Sequence, residues 1–287
     1  MEWRKLKNLI ILILLVVNGF LLVLVASRGR ESAQYERSAL EHTVQVLERG
    51  GIQVDRSAIF PATGMAPLSM ERDLEQEARL ARALLGGDAQ GDNQVGGVYL
   101  YRSALGEVSL RAGGELTAEL APNSRWETAR PEDHAAALLK DLGVDAALSG
   151  LSQENGQTTL RFTQRWDGAP VFSCHVEFTY REGRLCSLGG TLLITAGGTA
   201  EPGEALTLPT ALLRFSEEIA AAGDVCTNLR SMEPGWRGTA PSLSGGIRLT
   251  PVWLVTTDTA SYYLDCATGA LARAAETRSA EKPGAGD

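Results

Sequence analysis

Between Leu9 and Ala26 the chain runs eighteen residues without a charge, with MEWRKLKN before the run and SRGRE after it. A helix of that length rises about 27 Å, close to the hydrocarbon thickness of a bilayer. A cleaved signal peptide is the competing reading. Its apolar core is usually about 7–15 residues, and Leu24-Val25-Ala26-Ser27 is a poor cleavage site. No Cys directly follows the run, so lipoprotein processing is excluded. Arg4, Lys5 and Lys7 precede the run and Arg28 and Arg30 follow it, a bias that keeps the N-terminus cytoplasmic. Trp3 sits where an interfacial aromatic anchor belongs. The expectation is a single-pass cell-membrane protein with a short cytoplasmic N-terminus (1–8), a transmembrane helix (9–26) and an extracytoplasmic body.

Asn18-Gly19 interrupts the aliphatic run near its middle. An Asn amide in lipid gains about 0.6 kcal/mol, up to about 1.7, from an interhelical hydrogen bond, and a glycine lets a second backbone come close. These two residues are a candidate helix–helix contact. The plain alternative is an anchor that tolerates one self-bonded polar residue.

Of the 27 basic and 35 acidic residues, five and one fall in residues 1–30, which leaves 22 and 34 in the body and a formal charge of −12. Such a body does not bind nucleic acid through bulk electrostatics. None of the four cysteines, Cys174, Cys186, Cys226 and Cys266, forms a CxxC pair, so zinc or thioredoxin-type sites lack support. A two-residue turn at Glu182-Gly183 would place Cys174 opposite Thr191 and Cys186 opposite Thr179, with the sulfurs on opposite faces. Cys226 with Cys266 is then the possible disulfide, against the alternative of four free thiols.

The body reads as α+β. Ser38-Ala39-Leu40-Glu41 has the form of a capping box, Leu40, Val44 and Leu47 recur at helical spacing, and Gly50-Gly51 ends that helix. Ile52, Val54 and Ile59 suggest a strand. Leu74 to Leu85 suggests another helix or an interaction arm; a Gly-, Asp- and Asn-rich loop over Gly86 to Gly97 and a meander over 98–101, 107–111 and 115–120 follow. A second unit starts at Pro131, a helix carrying Ala136, Leu139 and Leu142 that stops at Gly143. Strands at 158–166, 170–180 and 184–194 follow, turning at Asp167-Gly168 and Glu182-Gly183. A third unit repeats the plan: Pro209, a helix carrying Leu212, Phe215 and Ile219, Gly223, then strands near 227–231, 247–256 and 261–264. The expected divisions are 27–125, 126–200 and 201–274, with a disordered tail at 275–287.

Catalytic motifs are scarce. The three histidines, His42, His134 and His175, show no metal-ligand spacing, and neither a G-x-S-x-G elbow nor a P-loop occurs. The acidic residues are scattered as on a solvated surface. No catalytic, cofactor-binding or metal residue is assigned, no cofactor is expected, and the chain is expected not to be an enzyme.

The opening Met1-Glu2-Trp3-Arg4-Lys5-Leu6-Lys7-Asn8, leading straight into an aliphatic helix with Asn18, resembles the YycI family. The likeness continues in Gly97 to Tyr101, in Gly168-Ala169-Pro170-Val171-Phe172, in Pro251-Val252-Trp253-Leu254 and in Tyr262-Tyr263-Leu264-Asp265 with Thr268-Gly269. What the resemblance implies is tandem helix-plus-antiparallel-sheet units, YycI/YycH-like and PepSY-like, behind one transmembrane helix. It also implies a non-enzymatic regulator of the WalK/WalR two-component system of Gram-positive bacteria, which controls cell-wall metabolism. Its partners would be a WalK-like sensor histidine kinase through the membrane helix and a YycH-like protein through the outer body. An anchored extracytoplasmic binding or inhibitory module, PepSY-like, is the alternative.

Overall fold

The computed structural model describes residues 2–122, 126–239 and 246–274. Within the N-terminal helix the side chains at 3, 7, 11, 13–15, 17–20 and 34–49 are described. The expected tail at 275–287 lies outside the described residues. In chain order the elements are α1 (Glu2–Arg49), β1 (Gln53–Val54), a 3-10 turn (Arg56–Ala58), β2 (Leu68–Arg72), α2 (Leu74–Leu85), β3 (Gln90–Gln94), β4 (Val98–Ser103), β5 (Gly106–Arg111), β6 (Glu115–Leu120), α3 (Pro131–Asp141), β7 (Ala146–Glu154), β8 (Gln157–Trp166), β9 (Ala169–Arg181), β10 (Arg184–Thr191), β11 (Thr195–Ala200), α4 (Leu208–Ala222), β12 (Asn228–Thr239), β13 (Ile247–Thr257), β14 (Ser261–Asp265) and β15 (Leu271–Arg273).

The strands form two pleated regions. In the first, eight antiparallel strands run β7-β8-β9-β10-β6-β5-β4-β3. In the second, β13 pairs β12 along one edge, and on the other edge β2 near its start and β14 near its end. β11 extends β2, β15 extends β14, and β1 joins β12 in parallel. The regions meet at the parallel bridge Trp236–Val171. The result is a mixed α+β body with one large hydrogen-bonded sheet. The expected division at residue 125 does not follow the sheet: β3 to β6 extend the first region, while β1 and β2 belong to the second. β11, placed with the second unit at the sequence level, pairs β2 in the second region.

Each region carries helices on one face, as an amphipathic element requires. Leu80, Leu84 and Leu85 of α2 and Ala135, Leu138 and Leu139 of α3 pack over Val108, Leu116, Leu160, Phe162 and Phe178. Of the expected Ala136-Leu139-Leu142 stripe, Leu139 is buried and Leu142 packs against the same core, whereas Ala136 is exposed and Ala135 takes the buried position. Leu212, Phe215 and Ile219 of α4 share the second core with Trp253, Val255, Tyr262 and Leu264. A smaller cluster, with Met70, Val171, Cys174, Trp236 and Leu249, lies between them.

Turn chemistry sets the hairpins. Asn155-Gly156, Asp167-Gly168 and Glu182-Gly183 all have positive φ at both positions, the backbone of a two-residue I′ turn. Register on the last hairpin departs from the simple expectation. The ladder shifts at Cys186, so that Ser187, not Cys186, stands opposite Thr179. Beyond the shift Gly190 pairs Val176, so Cys174 no longer stands opposite Thr191. A bulge adds one residue to one strand and displaces every later pair. Beyond it, Gly190 (φ +146) lies so close to β9 that a Cβ would sit 2.1 Å from the His175 carbonyl oxygen.

Candidate interaction site on the N-terminal helix

α1 is one unbroken helix of 48 residues, about 72 Å long. Ser38 lies inside it, so the expected capping box is not a helix start. The intervening 27–37 stretch, SRGRESAQYER, has no proline and is rich in good helix formers, and the helix carries on across it. The far end closes as expected. Gly51 (φ +91) donates its N–H to the Glu48 carbonyl at 3.1 Å, and Ile52 donates to Leu47 at 3.0 Å. That is the paired hydrogen bonding of a glycine-terminated helix, and the apolar contact between Ile52 and the Leu47 core completes it.

The two ends of α1 live in different surroundings. At 40–47, Leu40, Val44 and Leu47 turn into the α4 core beside Leu212 and Phe215. At 11–20 the described apolar side chains, Ile11, Ile13, Leu14, Leu15, Val17 and Phe20, are each 47–68% exposed. At 100° per residue those six leave one arc of about 140°, in which Gly19 lies. Among the described residues, no helix is long and apolar enough to cross a membrane. Ten of the eighteen side chains in the 9–26 run lie outside the described set.

Asn18 donates its Nδ2 to the Leu14 carbonyl oxygen at 2.8 Å, so its amide is bonded to its own helix. Nothing lies within 4 Å of the place a Gly19 Cβ would occupy, which leaves the backbone there open to a close neighbour. Trp3 is 79% exposed and Lys7 is exposed. The side chains of the other expected anchors, Arg4, Lys5, Arg28 and Arg30, lie outside the described set.

Elsewhere, several titratable groups are packed into the body. His134 Nδ1 lies 2.8 Å from the Tyr180 hydroxyl, with the Trp126 ring tilted against it at 5.4 Å between centroids. Burial lowers the His134 pKa and raises that of Tyr180. Burial, then the nearby Arg161, lowers that of His175. Cys226 and Cys266 sit in one core cluster yet are free thiols, so the possible disulfide is not formed in this structure. Burial pushes both thiols up, and pushes Cys174 up to about 11. Among the described residues, no group of three or more His, Cys, Asp or Glu could hold a metal ion.

One feature escaped the sequence reading. Arg72 Nε and Nη2 donate to Glu77 at 2.5 and 2.8 Å, and Nη1 donates to the Gly97 carbonyl at 2.7 Å. The guanidinium also lies over the Tyr99 ring. The Glu77 side chain is 4% exposed and that of Arg72 is 16% exposed. This fork ties α2 to β2 and to the start of β4. Its sequence signal is only an Arg five residues before a Glu across a helix start, which is too common a pattern to single out.

No family model matches the chain, and no curated protein matches it. Among solved structures it is similar to an uncharacterized protein from Eubacterium rectale ATCC 33656, at TM-score 0.49 and 12% identity, over 78% of this chain and 91% of that one. It is also similar to the Bacillus megaterium YpeB C-terminal domain, at TM-score 0.36 and 13% identity, over 71% of this chain and 98% of that one. At these scores neither likeness carries an argument about function.

Proposed function

We propose that this chain is a non-enzymatic, single-pass regulator of a cell-envelope sensor histidine kinase, with its N-terminus cytoplasmic and its body outside. The observation that carries the reading is α1 itself. Its 11–20 stretch is aliphatic or aromatic in sequence apart from Asn18 and Gly19, its described apolar side chains are exposed, and the same unbroken helix ends inside the α4 core. A helix apolar all round belongs in lipid or in a bundle of other helices. The uncharged run from Leu9 to Ala26 has the length of a bilayer span. The identity of the partner as a WalK-like kinase, and of a YycH-like protein on the body, rests on the resemblance to YycI.

The helix acts by binding one state of the kinase better than another, since a ligand shifts an equilibrium only by its differential affinity. Because the Asn18 amide already has a partner in Leu14, Gly19 is the stronger half of the contact: it lets a second backbone approach. The test is co-purification from membranes of the Asn18→Leu, Gly19→Leu double variant. Capture of the kinase should fall about three- to twenty-fold, the range of one interhelical polar contact, with insertion unchanged. Unchanged capture sinks this contact face.

A further inference from the structure

A groove of about 690 Å³ opens where α1 enters the body. Glu36, Arg37 and Leu40 form one wall, the loop 59–66 the second and the segment 203–209 before α4 the third. Its apolar lining comes from Leu40, Met65, Leu206 and Leu208, all half-buried.

The groove has a defined place relative to Asn18 and Gly19. Eighteen residues separate Asn18 from Glu36, and eighteen separate Gly19 from Arg37. At about 3.6 residues per turn that is close to five whole turns, so each pair shares one side of the unbroken helix. Leu40, Val44 and Leu47, the residues that enter the α4 core, fall in the same sector of about 100°. The body therefore overhangs the Asn18–Gly19 side of α1. A helix packed on that side in the membrane would emerge directly beneath the groove.

Height narrows the occupant. Glu36 is ten residues past Ala26, about 15 Å along the helix. The headgroup layer adds only about 6 Å to each side of the hydrocarbon core, so acyl chains end well short of the groove. Four or five residues of extended polypeptide span the same gap, at about 3.3 Å each.

We propose that the groove receives the first extracytoplasmic residues of the membrane protein whose helix packs against Asn18 and Gly19, bound as an extended apolar segment. This rests on the membrane-partner reading above and adds the surface on which that partner is held outside the bilayer.

The test is photo-crosslinking in membranes from the full-length chain, with a benzoylphenylalanine probe at one position at a time. Leu15 probes the membrane face, since it lies between the Asn18 and Gly19 directions and is exposed. Thr63 and Glu204 probe the groove, and Ser38 probes the opposite side of α1; all three are exposed. The expected result is that Thr63 and Glu204 label the same integral membrane protein as Leu15, within about ten residues of its membrane segment, and that Ser38 does not. If Leu15 labels a partner while the groove probes label a lipid, a second copy of this chain, another protein or nothing, the groove proposal is overturned and the membrane-partner reading stands. If Leu15 labels no protein, both fall together.

Discussion

Asp258 is exposed, yet three donors converge on its carboxylate: the N–H groups of Thr227 and Asn228 at 3.1 Å and the Thr227 hydroxyl at 2.6 Å. These bonds, the Thr227 hydroxyl first, hold its pKa down to about 2. An ordinary Asp titrates near 3.9, so the interaction is at full strength above about pH 4 and is lost as pH falls through 2. Denaturant unfolding of the body should therefore show a drop between pH 4 and 2 that Asp258→Asn lacks. His134 and His175 act earlier. Both have pKa values lowered by burial, so the unfolded chain binds protons first, and stability should begin to fall below about pH 6.5. The cysteines give a separate check. Cys174, Cys226 and Cys266 are buried and Cys186 is half-buried. Without reductant, the native protein should be alkylated at Cys186 alone and the denatured protein at all four, as read by mass spectrometry. A persistent Cys226–Cys266 link would show instead as two alkylations after denaturation.

At the scale of elements, Arg72–Glu77 is the most buried of the described ion pairs. Removing one partner of a buried pair typically costs about 3–5 kcal/mol, because the other charge is left behind. Glu77→Gln should lower the unfolding free energy toward the low end of that range, since Arg72 keeps some exposure. Phe215→Ala in α4 removes a fully buried ring packed edge-on against Tyr262 and should cost about 3–5 kcal/mol. What could be read from the chain follows from which forces are local. α2 and β6 have the bounds that periodicity and glycine punctuation indicate, Leu74–Leu85 and Glu115–Leu120. α4 closes at Gly223 in the left-handed conformation, as expected. Gln90-Gly91-Asp92-Asn93-Gln94 has no apolar alternation and reads as loop, but pairing with β4 makes it the strand β3. β7 carries little strand signal beyond Asn155-Gly156 at its hairpin, since Ala146-Ala147-Leu148-Ser149-Gly150-Leu151-Ser152 lacks strict alternation; pairing with β8 makes it a strand. The Ser38 box misled because a capping pattern inside a good helix former is simply read through. As to the site, Asn18 and Gly19 were visible as a break in an aliphatic run, whereas Asn18's bond to Leu14 and the groove at Glu36 depend on the fold.

At the scale of the molecule, α1 is a rod of about 72 Å fixed at one end in the α4 core. Whatever binds its far half is mechanically joined to the body. Inserting two alanines between Arg30 and Glu31 would turn the body by about 200° relative to Asn18 without introducing a helix breaker. If the body and the membrane face act together, that variant should lose regulation while keeping insertion and expression, read as kinase phosphorylation in cells. The most direct measurement is capture of the cell's histidine kinases from membranes by two full-length forms, one with the native helix and one with residues 9–26 replaced by a polyleucine helix of equal length. The account predicts that a kinase comes down with the native helix and not with the replacement. Equal capture by both forms, or by neither, would contradict it.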